Sequence, residues 1–185
     1  MLTGHVGESV VLRGLAASGS RPAGAPDLQA MPTPDVPSPQ ECTLVRAYDE
    51  AELDVHQLVE IRLASGRFGV FSKAPRSADS RVRVWMRPQL GQIDAAMLGL
   101  MADFVGSTLS NAVGLRGGAG SLDNTLRVVR LVPTRWVLCD IAIPAIADGI
   151  GHGRVDLFAE DGTLLALAGQ TFLARPHPSQ AASSA

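Results

Sequence analysis

The sequence is poor in aromatic residues and almost without lysine. Aromatics make up 4% of the 185 residues, too few for a base-stacking platform. Lys73 stands against fifteen scattered arginines, and the net charge is -2. No basic face for nucleic acid is visible. Cysteine is also scarce. Cys42 and Cys139 form neither a CxxC pair nor a disulfide framework. Two free thiols in the reducing cytoplasm are expected. The histidines His5, His56, His152 and His177 lack metal-ligand spacing, so no metal and no cofactor is expected. The N-terminus has no basic segment followed by an apolar one, as a secretory signal would. The most apolar stretch, residues 93–113, is interrupted by Asp94, Asp103, Asn111 and two glycines. That argues for a buried helix rather than membrane insertion.

What is present is an ordinary globular composition, with 46% hydrophobic and 18% charged residues. It excludes a fully disordered chain. The length suits one domain, or one domain plus a remnant. Residues 22–51 open with a proline-dense run, six of the twelve prolines falling between 21 and 40. Proline removes backbone donors, so this segment reads as an extended linker. Residues 1–21 hold one short apolar run, Val10-Val11-Leu12. Residues 52–176 read as the compact unit, and 177–185 as a frayed tail.

Within the compact unit the hydrophobic period predicts strand, strand, helix, then four strands. Val55–Leu63 and Arg81–Arg87 alternate apolar and charged residues. A helix is expected from about Gln92 to Ser110. Its apolar residues cover most of its circumference, so other structure should enclose it. Gly114–Gly120 reads as a loop. Strands are expected at Leu122–Leu131, Trp136–Ile143, Arg154–Ala159 and Thr163–Arg175, the last two joined by an Asp161-Gly162 hairpin turn. One long helix followed by an antiparallel meander gives an α+β unit, a sheet wrapped around a central helix as in the hot-dog fold.

Several short pieces, in order, carry a resemblance. They are Val59-Glu60-Ile61-Arg62, Val84-Trp85-Met86-Arg87, Met101-Ala102-Asp103, Ser121-Leu122-Asp123-Asn124, Trp136-Val137-Leu138, Asp161 through Ala166, Gln170 and Arg175-Pro176. Over about two-thirds of the chain this resembles the second repeat of the tandem hot-dog acyl-CoA thioesterases (the acyl-CoA thioesterase II group). Residues 7–22 share the layout of 161–176. Val10 to Leu164 and Arg21 to Arg175 are the same distance apart. That looks like the last strand of a first repeat whose earlier part is absent.

The resemblance implies a water-activating trio at Asp103, Ser121 and Gln170. Asp103 lies among Leu98, Leu100, Met101, Phe104 and Val105, and a buried carboxylate must be hydrogen-bonded. The alternative is that Asp103 fills a polar gap near Gly106. Gln170 shares a strand face with Leu164, Ala166, Ala168 and Phe172; it orients a water or bonds a neighbouring backbone. Ser121 bonds the water or caps a turn. Asn124 stands where relatives often have histidine. Gly117, Gly118 and Gly120 are candidate contacts for a pantetheine or phosphate through backbone N–H groups, with Arg116 beside them. His152 reads as a turn residue. The expected reaction is hydrolysis of acyl-CoA, in a homodimer or with a hot-dog partner that covers the exposed face. The rival readings are a catalytically weak acyl-CoA-binding or assembly module, and a hot-dog dehydratase. The dehydratase needs a histidine that this helix lacks.

Overall fold

The computed structural model describes residues 1–45, 58–69, 72–114 and 117–176. Val55–Gln57 of the first expected strand, linker residues 46–51, Arg116 and the tail lie outside them. The chain divides into two compact units, Met1–Ala30 and Met31–Ala185.

The first unit holds a hairpin of two strands, β1 (Leu2–Val6) and β2 (Ser9–Gly14), where the sequence suggested one. Gly7, at φ +58, turns the chain between them.

In the second unit, β3 (Thr43–Val45), β4 (Val59–Ser65), β5 (Arg81–Pro88), β6 (Gly117–Val128), β7 (Val137–Ala147), β8 (Ile150–Ala159) and β9 (Leu164–Pro176) form one antiparallel sheet. Its order is β3-β4-β5-β7-β8-β9-β6. The helix lies between β5 and β6 in sequence and packs on one face. This is the expected α+β hot-dog architecture.

The helix has three parts. α1 (Ala95–Ala102) begins at the N-cap Asp94, whose side chain accepts from Met97 N at 2.9 Å. A 3₁₀ segment (Asp103–Thr108) follows, and α2 (Leu109–Val113) ends at Gly114 in the left-handed region. The overwound turn has its own support. Thr108 Oγ1 donates to Val105 O, and Gly69 N donates to Ser107 O. Asn111 Oδ1 accepts from the backbone N–H groups of Arg67 and Ser77. Arg76 donates to the carbonyls of Asn111 and Ala112 at the helix end, where a cation suits the dipole. By length and composition alone this helix could cross a membrane; here one side packs into the core. Leu98, Met101 and Val105 are fully buried against Val84, Cys139, Ile141, Val155 and Leu157. The helix is not enclosed all round, since Ala95, Ala96 and Asp103 are exposed.

Two glycine-containing segments read as breaks or loops are strand. Asp148 and Gly149, both at positive φ, make the two-residue turn that suits a hairpin, and β8 starts directly after them. Gly151 and Gly153 sit inside β8 because there is no room for a side chain. A Cβ would lie 2.1 Å from the Phe172 ring and 2.2 Å from Val105 Cγ1, respectively. Likewise Gly117–Gly120 is the start of β6, paired with β9 from Pro176 to Leu173.

Residues 31–45, read as linker, belong to the second unit: 43–45 are β3, and 31–42 line the outer face of the sheet, opposite the helix. Pro37 O accepts from Trp85 Nε1 at 2.9 Å, Pro39 O from Arg62, and Thr33 donates to Gly162 O. Cys42 buries with Trp85, Trp136, Leu138 and Phe158. The prolines leave carbonyls free to accept, and tryptophan and arginine supply the donors. Beside this strap the outer face is ionic. Arg81 bridges Asp140 at 2.8 Å and Asp156 at 3.2 Å. Burial works against the Arg81 cation, but the two carboxylates more than offset this and raise its pKa. Burial also disfavours the Glu60 anion, yet Arg62 and Arg87 hold its carboxyl below the usual range. Both thiols are free and buried, and burial pushes each upward in pKa, Cys139 strongly.

The tips of the two hairpins match. In β1–β2, Gly4 faces Leu12 and His5 faces Val10, skipping Val11. In β8–β9, Leu157 faces Ala166 and Phe158 faces Leu164, skipping Leu165. The burial is opposite. Val10, Val11 and Leu12 are 45%, 61% and 61% exposed, whereas Leu164, Leu165 and Ala166 are 8%, 0% and 0%.

Candidate active site

The structure brings Asp103, Ser121 and Gln170 together. Asp103 sits at the joint between α1 and the 3₁₀ segment. Ser121 is on β6 and Gln170 on the neighbouring β9. Ser121 Oγ donates to Asp103 Oδ1 at 3.2 Å. Gln170 Nε2 donates to the same oxygen and to Ser121 Oγ, the latter at 2.9 Å. Asn124 is a further member of the cluster, its Nδ2 reaching Asp103 Oδ1 at 3.4 Å.

A β-bulge makes this convergence possible. Ser121 pairs with Phe172 and Asn124 with Gln170, while the register shifts between Ser121 and Asp123. Residues three apart on a regular strand point to opposite faces. The extra residue in the bulge restores Asn124 to the Ser121 side. Sequence alternation could not have paired these two, and no residue type at Leu122 signals the bulge.

The environments of the two partners differ. Gln170 is 4% exposed, and its Oε1 has no hydrogen-bond partner among the described residues. Asp103, Ser121 and Asn124 are exposed. The expectation of a buried carboxylate is therefore corrected. Asp103 occupies the open side of the helix, away from Leu98, Met101 and Val105. Its Oδ1 is held by three side chains, none of which bonds Oδ2. Such an arrangement fixes one carboxylate oxygen and leaves the other to act on a solvent molecule.

Gly117, Gly118 and Gly120 run along β6 towards Ser121. They do not form a loop. β6 is the last strand in the sheet order, so alternate backbone groups point away from its one neighbour. His152 is also in a strand rather than a turn. It faces Thr171, with Nδ1 3.5 Å from Thr171 Oγ1. Thr171 lies on the opposite sheet face from its neighbour Gln170, so His152 takes no part in the cluster.

Comparison with known proteins agrees with the fold. The profile of the acyl-CoA thioesterase C-terminal domain matches residues 31–174, beginning where the second unit begins. A candidate thioesterase of known structure from Novosphingobium aromaticivorans is similar at 32% identity and TM-score 0.68, over 83% of this chain and 58% of its own. A hot-dog protein of unknown function from Alicyclobacillus acidocaldarius is similar at 21% identity and TM-score 0.68, over 85% and 59%. Acyl-CoA thioesterase II TesB2 from Mycobacterium marinum aligns at 17% identity and TM-score 0.51, over 85% and 60%. The chain thus spans somewhat under two-thirds of the length of these structures. No curated protein matches it.

Proposed function

Because the chain belongs to the family of acyl-CoA thioesterase C-terminal domains, we propose that it hydrolyses a fatty acyl-CoA to a free fatty acid and CoA. Asp103 accepts a proton from a water as the water oxygen bonds to the thioester carbonyl carbon. The C–S bond then breaks, and the CoA thiolate leaves and takes up the proton held by Asp103, which restores the carboxylate. Ser121 and Gln170 hold Asp103 Oδ1 and so orient the carboxylate. A backbone N–H stabilises the oxyanion. The outward backbone groups at Gly117, Gly118 and Gly120 are the candidate contacts for the pantetheine arm. The observation that carries this reading is the convergence of donors on one oxygen of an exposed carboxylate.

Thiol release from a panel of short- to long-chain acyl-CoAs tests it. Turnover should be lost in Asp103→Asn with the circular dichroism spectrum unchanged. Unaltered thiol release by that variant would refute it. Saturable binding of acyl-CoA without turnover would favour the second reading, a binding module. That reading draws on the exposure of Asp103, Ser121 and Asn124 in the single chain.

The same exposure supports a second hot-dog unit covering β6 and the helix, supplied by another copy of the chain or by a partner. Light scattering tests this, and a monodisperse monomer counts against it. The matched hairpin registers support reading β1–β2 as the final hairpin of another such unit, its apolar positions awaiting a helix and sheet. The two free buried thiols suit a cytoplasmic location.

A further inference from the structure

Three contacts run in line between the helix and β6. A Cβ on Gly99 would lie 3.9 Å from Leu126 Cδ2. Asp103 receives Ser121 and Asn124. A Cβ on Gly106 would lie 2.8 Å from Ala119 Cβ. The carboxylate thus has a glycine about one turn away on either side, but of the two only Gly106 lies so close to the strand that a Cβ would collide with it.

The 3₁₀ segment explains the alignment. In a 3₁₀ helix residues i and i+3 eclipse, with a rise of about 6 Å over three residues. Two residues of strand advance about 6.6 Å. Asp103 and Gly106 therefore stack at nearly the pitch of Ser121 and Ala119. In an α-helix three residues rise about 4.5 Å and rotate off the line. Gly106–Ala119 is thus the spacer that sets how closely β6 approaches Asp103. Ordinary Cβ contact needs roughly 1 Å more than 2.8 Å. Moving β6 back by that amount would take Ser121 Oγ out of hydrogen-bond range of Asp103, starting from 3.2 Å.

We infer that Gly106 is a positioning residue for the proposed hydrolysis, acting through Ala119 to hold Ser121 and Asn124 against Asp103. This rests on the thioesterase reading. In Gly106→Ala, kcat for acyl-CoA falls roughly ten- to a hundred-fold, as misplacement by an ångström does, with KM little changed. Gly106→Ala with Ala119→Gly recovers most of the loss. Ala119→Val obstructs from the strand side and lowers kcat in the same way, which keeps the test valid if Gly106→Ala fails to fold. Gly99→Ala keeps wild-type kcat, because its methyl meets only the end of a leucine. Wild-type kcat in Gly106→Ala, or a loss that Ala119→Gly does not recover, overturns the inference. A crystal structure of Gly106→Ala gives a readout independent of turnover. The inference expects the Asp103–Ser121 hydrogen bond to be broken and fails if it is kept. If the wild-type chain releases no thiol from any acyl-CoA, the thioesterase reading falls, while this distance still decides the geometric claim.

Discussion

The outer face of the sheet pairs its charges, whereas on the helix side the exposed Asp103 is held on a single oxygen. On the outer face Arg81 spans Asp140 and Asp156, Arg62 and Arg87 share Glu60, and both guanidiniums lie over Trp136 at 5.5 and 4.9 Å. The acids there are nearly buried, and their partners are as numerous as burial demands. Asp103 is exposed and needs no partner for solvation, yet three donors meet on its Oδ1. Polar groups that satisfy one another hold a structure together. A surface carboxylate fixed in this way fits the general base of the proposed hydrolysis.

Substitutions on the two faces should therefore separate activity from stability. The largest effect is expected at Asp103→Asn. Thiol release should fall at least about 100-fold, the low end for removing a general base, with the melting temperature within a degree or two. Next is Arg81→Met, which leaves Asp140 and Asp156 without their shared cation. With Arg81 about a quarter exposed, the loss should be about 2 kcal/mol in urea unfolding, with kcat unchanged. A fall in kcat with no fall in stability would erase the distinction between the faces.

Trp85→Phe removes the donor to Pro37 O and should cost about 1 kcal/mol. Limited proteolysis should then cut faster within residues 31–42, with turnover kept. The smallest effect concerns Glu60. Its folded pKa lies below its unfolded value of 4.5, so its contribution is present above that pH and drains as pH falls through the folded value. Wild-type melting temperature should drop more steeply in acid than that of Glu60→Gln. Equal slopes would mean that the Arg62 and Arg87 pairs add nothing.

Much of the fold was legible in the residues. Alternation at Val82-Arg83-Val84-Trp85-Met86 marked both faces of β5, and Asp161-Gly162 marked the β8–β9 turn. Other features were hidden because their cause lies far away in sequence. Gly151 and Gly153 read as breakers, but they are strand residues making room for Phe172 and Val105. The prolines of residues 31–42 read as linker, but their carbonyls take hydrogen bonds from Trp85 and Arg62. Asp103 read as buried because its neighbours in sequence are apolar, and helix periodicity alone did not say which side faces out.

The sequence by itself determined the two faces of β5, the helix and the turn between β8 and β9, because period and residue type are local properties; Asp103, Ser121 and Gln170 were singled out by resemblance to a family. Only the tertiary structure decided that Ser121 and Asn124 face the same way, that Asp103 is open to solvent, and that Gly106 spaces the helix from β6. Those depend on a bulge, a 3₁₀ turn and a strand order, each set by contacts between residues distant in the chain.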